Sequence, residues 1–256
     1  MKRTDRVGEQ SINKLGESMS IIAYRGALDI DIQFKDGGIV SNTRYSDFLK
    51  GSIKNPYYKS VFGVGYIANG RYTSRVNGKK TKYYTFWKGI IERCYNKSYQ
   101  TKRPTYKGCT VCEEWHNFQN FGRWYDENYY EIEDKKMCLD KDILKKGNKI
   151  YSPETCVIVP DDINLLFIKN NANRGDLPIG VIQYKASKKY LAQCGISKNT
   201  HHRNKYLGLF TNIEDAFIAY KNFKEYFIKK IADEYKNVIP EILYEAMYKY
   251  IVEITD

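Results

Sequence analysis

The sequence predicts an α+β protein made of several small domains. Its 256 residues are too many for one ordinary small domain and suit two or three. Segments that alternate apolar and polar residues, as strands do, occur near both ends of the chain, whereas aromatic and aliphatic residues recur at helical spacing in the middle. A polar segment at 170–176, with the sequence NNANRGD, is the clearest domain boundary.

Residues 1–58 are expected to form a small β-rich accessory domain. The segment at 29–38, DIDIQFKDGG, alternates with period two and ends in a hairpin signal, Asp36-Gly37-Gly38. Asn55-Pro56 closes this domain.

Residues 59–84 are predicted to form a basic hairpin. They contain two tight-turn pairs, Asn69-Gly70 and Asn77-Gly78. The strands that these turns would join carry the basic residues Arg71, Arg75, Lys79, Lys80 and Lys82. Such a segment is either a linker or a ribbon that faces DNA.

Residues 85–170 are expected to form one central module, of which the part up to about residue 134 is helical. Two stripes at helical spacing predict its core: Phe86, Ile90, Ile91 and Cys94, and then Trp115, Phe118, Phe121 and Trp124. Residues 138–160 predict two strands around a Gly-Asn turn, and Asp161 or Asp162 is expected to cap a following helix.

Residues 176–238 predict three short strands and one helix. The strands have the sequences GVIQYK, KKYLAQCGI and KYLGLF, and Asn212 opens the helix. The inner face of this helix carries Ala216, Phe217, Ala219, Tyr220 and Phe223. Residues 239–256 add a C-terminal helix that begins at Pro240, an apt first-turn residue.

The charge balance favours a polyanionic partner. The chain has 42 Lys and Arg against 30 Asp and Glu, a net charge of +12. Solubility does not need such an imbalance, whereas neutralising phosphates releases condensed counterions. The 24 tyrosines can stack on bases or contact phosphates, although most individual tyrosines are expected to be core residues.

From Ile179 onward the sequence resembles the ethylene-response-factor (apetala-type) DNA-binding domain. The resemblance covers about 55 residues and is carried by four blocks in order: Gly180-Val181, Lys188-Lys189-Tyr190-Leu191-Ala192, Tyr206-Leu207-Gly208-Leu209-Phe210 and Ile213-Glu214-Asp215-Ala216-Phe217-Ile218-Ala219-Tyr220. It implies a sheet lying in the major groove of duplex DNA with the helix packed behind it.

The residues themselves support a basic sheet face. From Asp176 to Tyr206 there are six Lys or Arg and one acidic residue, Asp176 itself. Alternation along the first two strands predicts that Gln183, Lys185, Lys189 and Gln193 face the groove. The predicted DNA-binding residues are Gln183, Lys185, Lys188, Lys189, Tyr190, Gln193, Lys198, Arg203 and Lys205. The alternative is a solvated sheet face, and His201 and His202 are expected in an exposed hairpin loop.

The C-terminal module departs from the plant pattern. Several arginines and a tryptophan dominate the contact surface there, whereas lysine, tyrosine and glutamine occupy those places here. Lysine is a poorer bidentate reader of guanine than arginine, so sequence specificity is expected to be weak or different.

Residues 87–160 resemble phage proteins related to HNH homing endonucleases. The matching pieces are Trp87, Arg93-Cys94-Tyr95-Asn96, Val111-Cys112-Glu113-Glu114-Trp115, Leu139-Asp140-Lys141-Asp142 and Tyr151-Ser152-Pro153-Glu154-Thr155-Cys156. Pairing such a module with an ethylene-response-factor domain is typical of phage endonucleases. The resemblance implies a ββα-metal-type fold and a location in the cytoplasm of a host bacterial cell.

The resemblance also implies a Mg²⁺-dependent cleavage site, built from Asp140, Lys141, Asp142 and Asn148. Asp140 occupies the position of the family's metal-binding Asp, and Lys141 occupies the position of its general-base His. Asn148 corresponds to an asparagine of the family. A protonated lysine cannot accept a proton unless its pKa is strongly lowered. Thr155 replaces a further Asn, and His116 lies on the aromatic stripe. An active nuclease and a degenerate DNA-binding remnant both remain open.

The six cysteines do not indicate a disulfide scaffold in a chain of this kind. Cys109-x-x-Cys112 has metal-ligand spacing, and Cys138 and Cys156 could complete a structural Zn²⁺ site with it. Plain burial is the alternative, and Cys194 is expected to be a packing residue.

The expected partner is double-stranded DNA. No run of about 18 apolar residues is present, so no membrane span is expected, and the N-terminus lacks a secretion signal. A homodimer or a host nucleoprotein are further possible partners. A catalytically inactive regulator or an inhibitor of a host nucleoprotein is the alternative function, and a purely protein-binding module is a third.

Overall fold

The computed structural model describes residues 5–168, 176–184, 187–196 and 204–256. The chain divides into two compact units. Unit 1 comprises Met1–Tyr129 and Lys149–Glu154, and unit 2 comprises Tyr130–Asn148 and Thr155–Asp256. Helices and several small sheets occur in both units, which confirms the predicted α+β class. No helix in the described ranges is long and apolar enough to cross a membrane.

Unit 1 begins with a four-stranded antiparallel meander, as the alternating pattern predicts. Its strands are β1 (Gln10–Ile12), β2 (Ser18–Gly26), β3 (Asp29–Phe34) and β4 (Ile39–Thr43), and the short helix α1 (Tyr45–Leu49) follows. Strand β3 buries every second residue. The core of this sheet is formed by Met19, Ile21, Ile30, Ile32, Phe34, Phe48 and Ile53.

A short basic hairpin connects this sheet to the helical part of unit 1. Strands β5 (Arg75–Val76) and β6 (Lys79–Lys80) pair antiparallel around Asn77 and Gly78. Both turn residues have positive φ, 50° and 76°, as a tight Asn-Gly hairpin turn requires. The other turn pair, Asn69-Gly70, lies at a bend and joins no pair of strands in the described chain, so that part of the hairpin prediction is wrong.

The predicted aromatic stripes form the core of the helical part of unit 1. The helices are α2 (Lys82–Tyr95), α3 (Lys97–Lys102) and α4 (Phe118–Asn128), and Thr81 caps α2 by accepting a hydrogen bond from the Tyr84 amide. Trp87 and Trp115 are completely buried, and the Trp87 indole N–H donates to the Trp115 carbonyl at 2.7 Å.

Two short strands of unit 1 come from distant parts of the sequence. Strand β7 (Thr110–Val111) pairs in parallel with β9 (Ile150–Tyr151). In unit 2, strand β8 (Met137–Asp140) pairs antiparallel with β10 (Val157–Pro160), and helix α5 (Asp161–Leu166) follows. The sequence predicted that the strands on either side of Gly147-Asn148 pair with one another. The strand that directly follows this turn, β9, pairs with β7 instead.

Unit 2 continues with a three-stranded antiparallel sheet and two helices. The strands are β11 (Val181–Tyr184), β12 (Lys189–Gly195) and β13 (Asn204–Phe210), in that order across the sheet. Helix α6 (Ile213–Tyr235) is capped by Asn212, whose side chain accepts from the Asp215 amide at 2.8 Å, as predicted. Helix α7 (Glu241–Tyr248) is shorter than the predicted C-terminal helix.

Helix α6 contributes to both apolar cores of unit 2. Its first half packs on the sheet in a core formed by Val181, Ala192, Cys194, Ala216, Phe217, Tyr220 and Val252. Its second half packs in a core formed by Ile143, Val157, Val159, Ile163, Ile228, Ala232, Ile239, Leu243 and Met247. A single rigid helix therefore supports the back of the three-stranded sheet.

Candidate nucleic-acid interface

The three-stranded sheet has one covered face and one open face. Directly opposed residues on neighbouring strands share a face, and successive residues alternate. Val181 pairs with Ala192, and both are buried in the core under α6. Tyr184 pairs with Lys189 and lies one residue out of phase with the buried set, so this pair belongs to the open face.

The open face mixes aromatic, aliphatic and long polar side chains. Its members, assigned from the strand register, are Ile182, Tyr184, Lys189, Leu191, Gln193, Tyr206 and Leu209. Tyr184 and Tyr206 are 47% and 60% exposed, which is high for ring-bearing strand residues. None of the residues in β11, β12 and β13 is acidic. The face therefore offers hydrogen-bond donors and flat rings without an opposing negative charge.

A register shift between Ala192 and Gln193 shapes the open face. Gly208 pairs with Ala192 and has a φ of +141°, and a Cβ atom there would lie 2.8 Å from the Phe210 ring. Such bulges increase twist and redirect side chains. Past the shift, Tyr206 is opposite Gln193, which places a tyrosine ring beside an amide.

Three of the predicted contact residues, Gln183, Tyr190 and Lys205, lie on the other face, Lys205 because it is opposite the buried Cys194. Gln183 pairs with Tyr190, and Tyr190 packs against the core under α6. The prediction that Gln183 shares the groove-facing side with Lys189 and Gln193 is therefore wrong. Side chains of a strand alternate between the two faces of the sheet. The alternation does not continue unbroken through the turn between β11 and β12, so counting every second residue from β11 into β12 assigns Gln183 to the wrong face.

The remaining predicted contact residues lie at the ends of the strands or outside the described chain. Lys188 occupies the turn between β11 and β12 with a φ of 56°. Lys185, Lys198 and Arg203 lie outside the described residues, as do His201 and His202. Tyr184 and Tyr206 were missed by the sequence argument, since only the cross-strand register reveals which tyrosines share the face of Lys189.

The sheet lysines differ from many other lysines of unit 2 in their pairing. Ion pairs hold Lys135 to Asp162, Lys146 to Glu253 and Asp256, Lys221 to Glu225, Lys230 to Glu234, and Lys249 to Glu245. By contrast, the side chains of Lys188, Lys189 and Lys205 form no ion pair or hydrogen bond with any residue that the structure describes. Their ammonium groups are thus available to an external anion.

The predicted catalytic residues form a tightly bonded loop after β8. The Asp140 carboxylate accepts hydrogen bonds from the Asp142 and Ile143 amides, both at 2.8 Å. The Lys141 amine donates to the Asn148 carbonyl at 2.9 Å, and the Asn148 side-chain amide donates to the Lys141 carbonyl at 2.7 Å. These reciprocal bonds close the loop at residues 141–148.

Burial affects the two charged side chains at the start of this loop, Asp140 and Lys141. Burial raises the pKa of Asp140 to about 6, the nearby Asp142 carboxylate adds to this rise, and the two backbone N–H donors oppose it. The Lys141 side chain is only 12% exposed and lies 3.3 Å from the Asp142 carboxylate. Lys141, at the position where the family resemblance implies a general base, therefore contacts both the Asp142 carboxylate and the Asn148 carbonyl.

The predicted metal ligands are spread over both units. Among the described residues, no three His, Cys, Asp or Glu side chains are grouped so that they could hold an ion. Cys109 and Cys112 belong to unit 1, and Cys138 and Cys156 belong to unit 2. Burial raises the pKa of the Cys112 thiol. The Zn²⁺ and Mg²⁺ sites stay predictions.

His116 and Thr155, the two other positions weighed for catalysis, lie in different units. The His116 Nε2 atom lies 3.1 Å from the Val111 carbonyl and 3.4 Å from the Tyr95 hydroxyl. These contacts tie the imidazole to the helical part of unit 1.

Comparison with protein-family models, with curated proteins and with solved structures finds no match to this chain. The interface is therefore interpreted from its own chemistry.

Proposed function

We propose that this protein binds duplex DNA through the open face of the β11–β13 sheet. The observation that carries the proposal is the pair Lys188 and Lys189, whose exposed side chains have no partner among the described residues, at the end of the face that presents exposed Tyr184 and Tyr206. The sheet contains no carboxylate, whereas several exposed lysines elsewhere in unit 2 are already paired.

The chemistry of the face suits a duplex. Lysine ammonium groups bind phosphates and release condensed counterions, which supplies affinity independent of sequence. Gln193 can donate and accept hydrogen bonds at a base edge in the major groove, and a narrow antiparallel sheet fits that groove. Tyrosine hydroxyls contact phosphates, and tyrosine rings contact sugars and thymine methyl groups. Helix α6 holds the sheet rigid from behind.

Binding without cleavage is the form of this proposal that the residues favour. Lys141 and Asn148 are engaged in closing their loop, and no metal-ligand group is formed among the described residues. A regulator that occupies DNA needs neither a general base nor a metal. The hydrogen bonds of the loop then give it a structural role.

A salt series on the full-length protein tests the proposal. Binding to a fluorescent duplex oligonucleotide is measured by anisotropy for the wild type and for Lys188→Gln/Lys189→Gln. The slope of log K against log salt should become shallower by about 1.8, since each lost phosphate contact contributes about 0.9. The loss should be similar for unrelated duplex sequences, because phosphate contacts do not depend on base identity.

The matched control is Lys230→Gln/Lys249→Gln, which removes the same charge from exposed ion pairs on α6 and beyond α7. Exposed pairs of this kind stabilise a fold by less than about 1 kcal/mol, so the control should fold normally. The control should keep the wild-type slope. Equal losses in both variants would reduce the effect to net charge, and no retention of DNA by the wild type even in dilute buffer would refute the proposal.

A further inference from the structure

Unit 1 has its own strongly basic element, the hairpin formed by β5 and β6. Between Asp47 and Glu92 the sequence has nine Lys or Arg and no acidic residue. The hairpin lies within this stretch, and Arg75, Lys79 and Lys80 on it are exposed. No part of the proposed DNA-binding sheet belongs to unit 1.

The strand register places like charges directly opposite one another. Arg75 pairs with Lys80 across the hairpin, so the two cationic side chains share a face. Like charges at directly opposed positions destabilise a strand pair. In the part of the chain that the structure describes, neither Lys79 nor Lys80 has a carboxylate partner. The hairpin therefore keeps a repulsive pair that an external anion would relieve.

The hairpin is held in a defined position rather than left as a loose basic loop. The Arg75 guanidinium donates to the Gly78 carbonyl at 3.0 Å and fixes the turn. At the base, the Thr81 hydroxyl donates to the Thr73 carbonyl at 3.0 Å, and the Thr81 amide donates to the Ser74 carbonyl at 3.2 Å. Its cations are thus presented from a short, fixed ribbon.

Helix α2 adds positive potential at the base of the hairpin. Its N-terminus follows Thr81 directly and has no acidic residue in the first turn, where Lys82 stands instead. Helix α6, by comparison, has Glu214 and Asp215 in its first turn. Acidic residues normally compensate the positive end of the helix dipole, and here that end is left uncompensated beside a cationic ribbon.

The geometry points to the β5–β6 hairpin as a second phosphate-binding surface for duplex DNA, separate from the three-stranded sheet. This inference rests on the proposed function for the identity of the polyanion. A membrane surface is the less favoured partner, because the tip of the hairpin is Asn77-Gly78 and its strands offer only Val76 as an exposed apolar residue. Segments that bind membrane surfaces combine cations with bulky apolar anchors.

The test is Lys79→Gln/Lys80→Gln in the full-length protein, compared with Lys14→Gln/Lys35→Gln. The control pair is also exposed in unit 1 and removes the same charge from the first sheet and its turns. The hairpin variant should lower the salt slope for duplex binding by about 1.8, and the control should leave it unchanged. Because the hairpin substitutions relieve repulsion, the variant should be at least as stable to urea as the wild type.

Two further comparisons separate the possible failures. If Lys188→Gln/Lys189→Gln lowers the slope and the hairpin variant does not, the second surface is refuted while the proposed function stands. If only the hairpin variant lowers it, the sheet proposal fails and the hairpin is supported. Vesicles of equal parts phosphatidylcholine and phosphatidylglycerol test a membrane surface as the alternative partner. The inference would be overturned if the hairpin variant lost vesicle binding but kept the wild-type salt slope for duplex binding.

Discussion

Replacing Asp140 by Asn should make unit 2 more stable at neutral pH. Asn keeps a side-chain oxygen at the position that accepts the Asp142 and Ile143 amides at 2.8 Å. It removes the negative charge that burial disfavours at this site. The substitution therefore preserves the turn and deletes an electrostatic cost.

The magnitude follows from the pKa of Asp140. In the unfolded chain this carboxyl loses its proton near its ordinary value of 3.8, whereas in the folded protein its pKa is raised to about 6. As the pH rises through this window, the unfolded state loses its proton first and is stabilised relative to the folded state. The cost to the fold is absent below about pH 4 and complete above about pH 6, where it reaches at most about 3 kcal/mol.

The assay must report on unit 2, and tryptophan fluorescence does not, because Trp87, Trp115 and Trp124 all belong to unit 1. Native-state hydrogen exchange of the β8 and β10 amides provides the local free energy of opening. Asp140→Asn should raise it at pH 7.5 by about 1 to 3 kcal/mol relative to its effect near pH 4.

Asp134→Asn is the matched control, since Asp134 is exposed at a turn position with a φ of 57° that Asn tolerates. Its effect should be small, because the side chain is exposed. A gain from Asp140→Asn that is equal at both pH values, or a loss at pH 7.5, would contradict the argument. So would an NMR titration that places the Asp140 carboxyl near its ordinary pKa.

Two further predictions concern the sheet support and the loop. Gly180→Ala should destabilise the three-stranded sheet by more than about 2 kcal/mol, because the φ of Gly180 is +79° and the new Cβ would lie 2.0 Å from the Tyr220 ring. Gly147→Ala is the control, since Gly147 has a similar φ of +78° but open space around it, and it should cost only about 1 to 2 kcal/mol. Hydrogen exchange measures both free energies. Supercoiled plasmid incubated with Mg²⁺ or Mn²⁺ should be retarded in a gel without being nicked, and metal-dependent nicking that Asp140→Asn abolishes would instead establish the nuclease.

Features encoded by local sequence were predicted well. The Asn77-Gly78 turn needs two residues with positive φ, and few residue pairs other than Asn-Gly supply them. The Asn212 cap depends on a side-chain oxygen three residues before a free amide. The aromatic stripe around Trp115 follows from helical periodicity, although Trp115 itself lies in a short 3-10 segment, Glu113–His116.

Features that depend on pairing between distant segments were not predictable in the same way. The segment Ile150–Tyr151 was expected to continue a local hairpin, but its backbone bonds go to Thr110–Val111, some 40 residues earlier. No local pattern encodes that choice. The face of Gln183 was assigned wrongly for a related reason, because counting every second residue through a turn of unknown length does not preserve the phase of a strand.

The net charge of +12 shows that the chain suits a polyanion but not which cations would meet it. The ion pairs narrow the choice of cations to test, since lysines such as Lys146 and Lys221 are held by carboxylates of their own unit. Five exposed cations lie on the two proposed surfaces, namely Arg75, Lys79, Lys80, Lys188 and Lys189. If all five contact phosphates, the wild-type salt slope should be about 4.5 in magnitude. A slope below about 3 would mean that the sheet and the hairpin do not both meet phosphates in the complex, which the paired double variants would then assign to one of them.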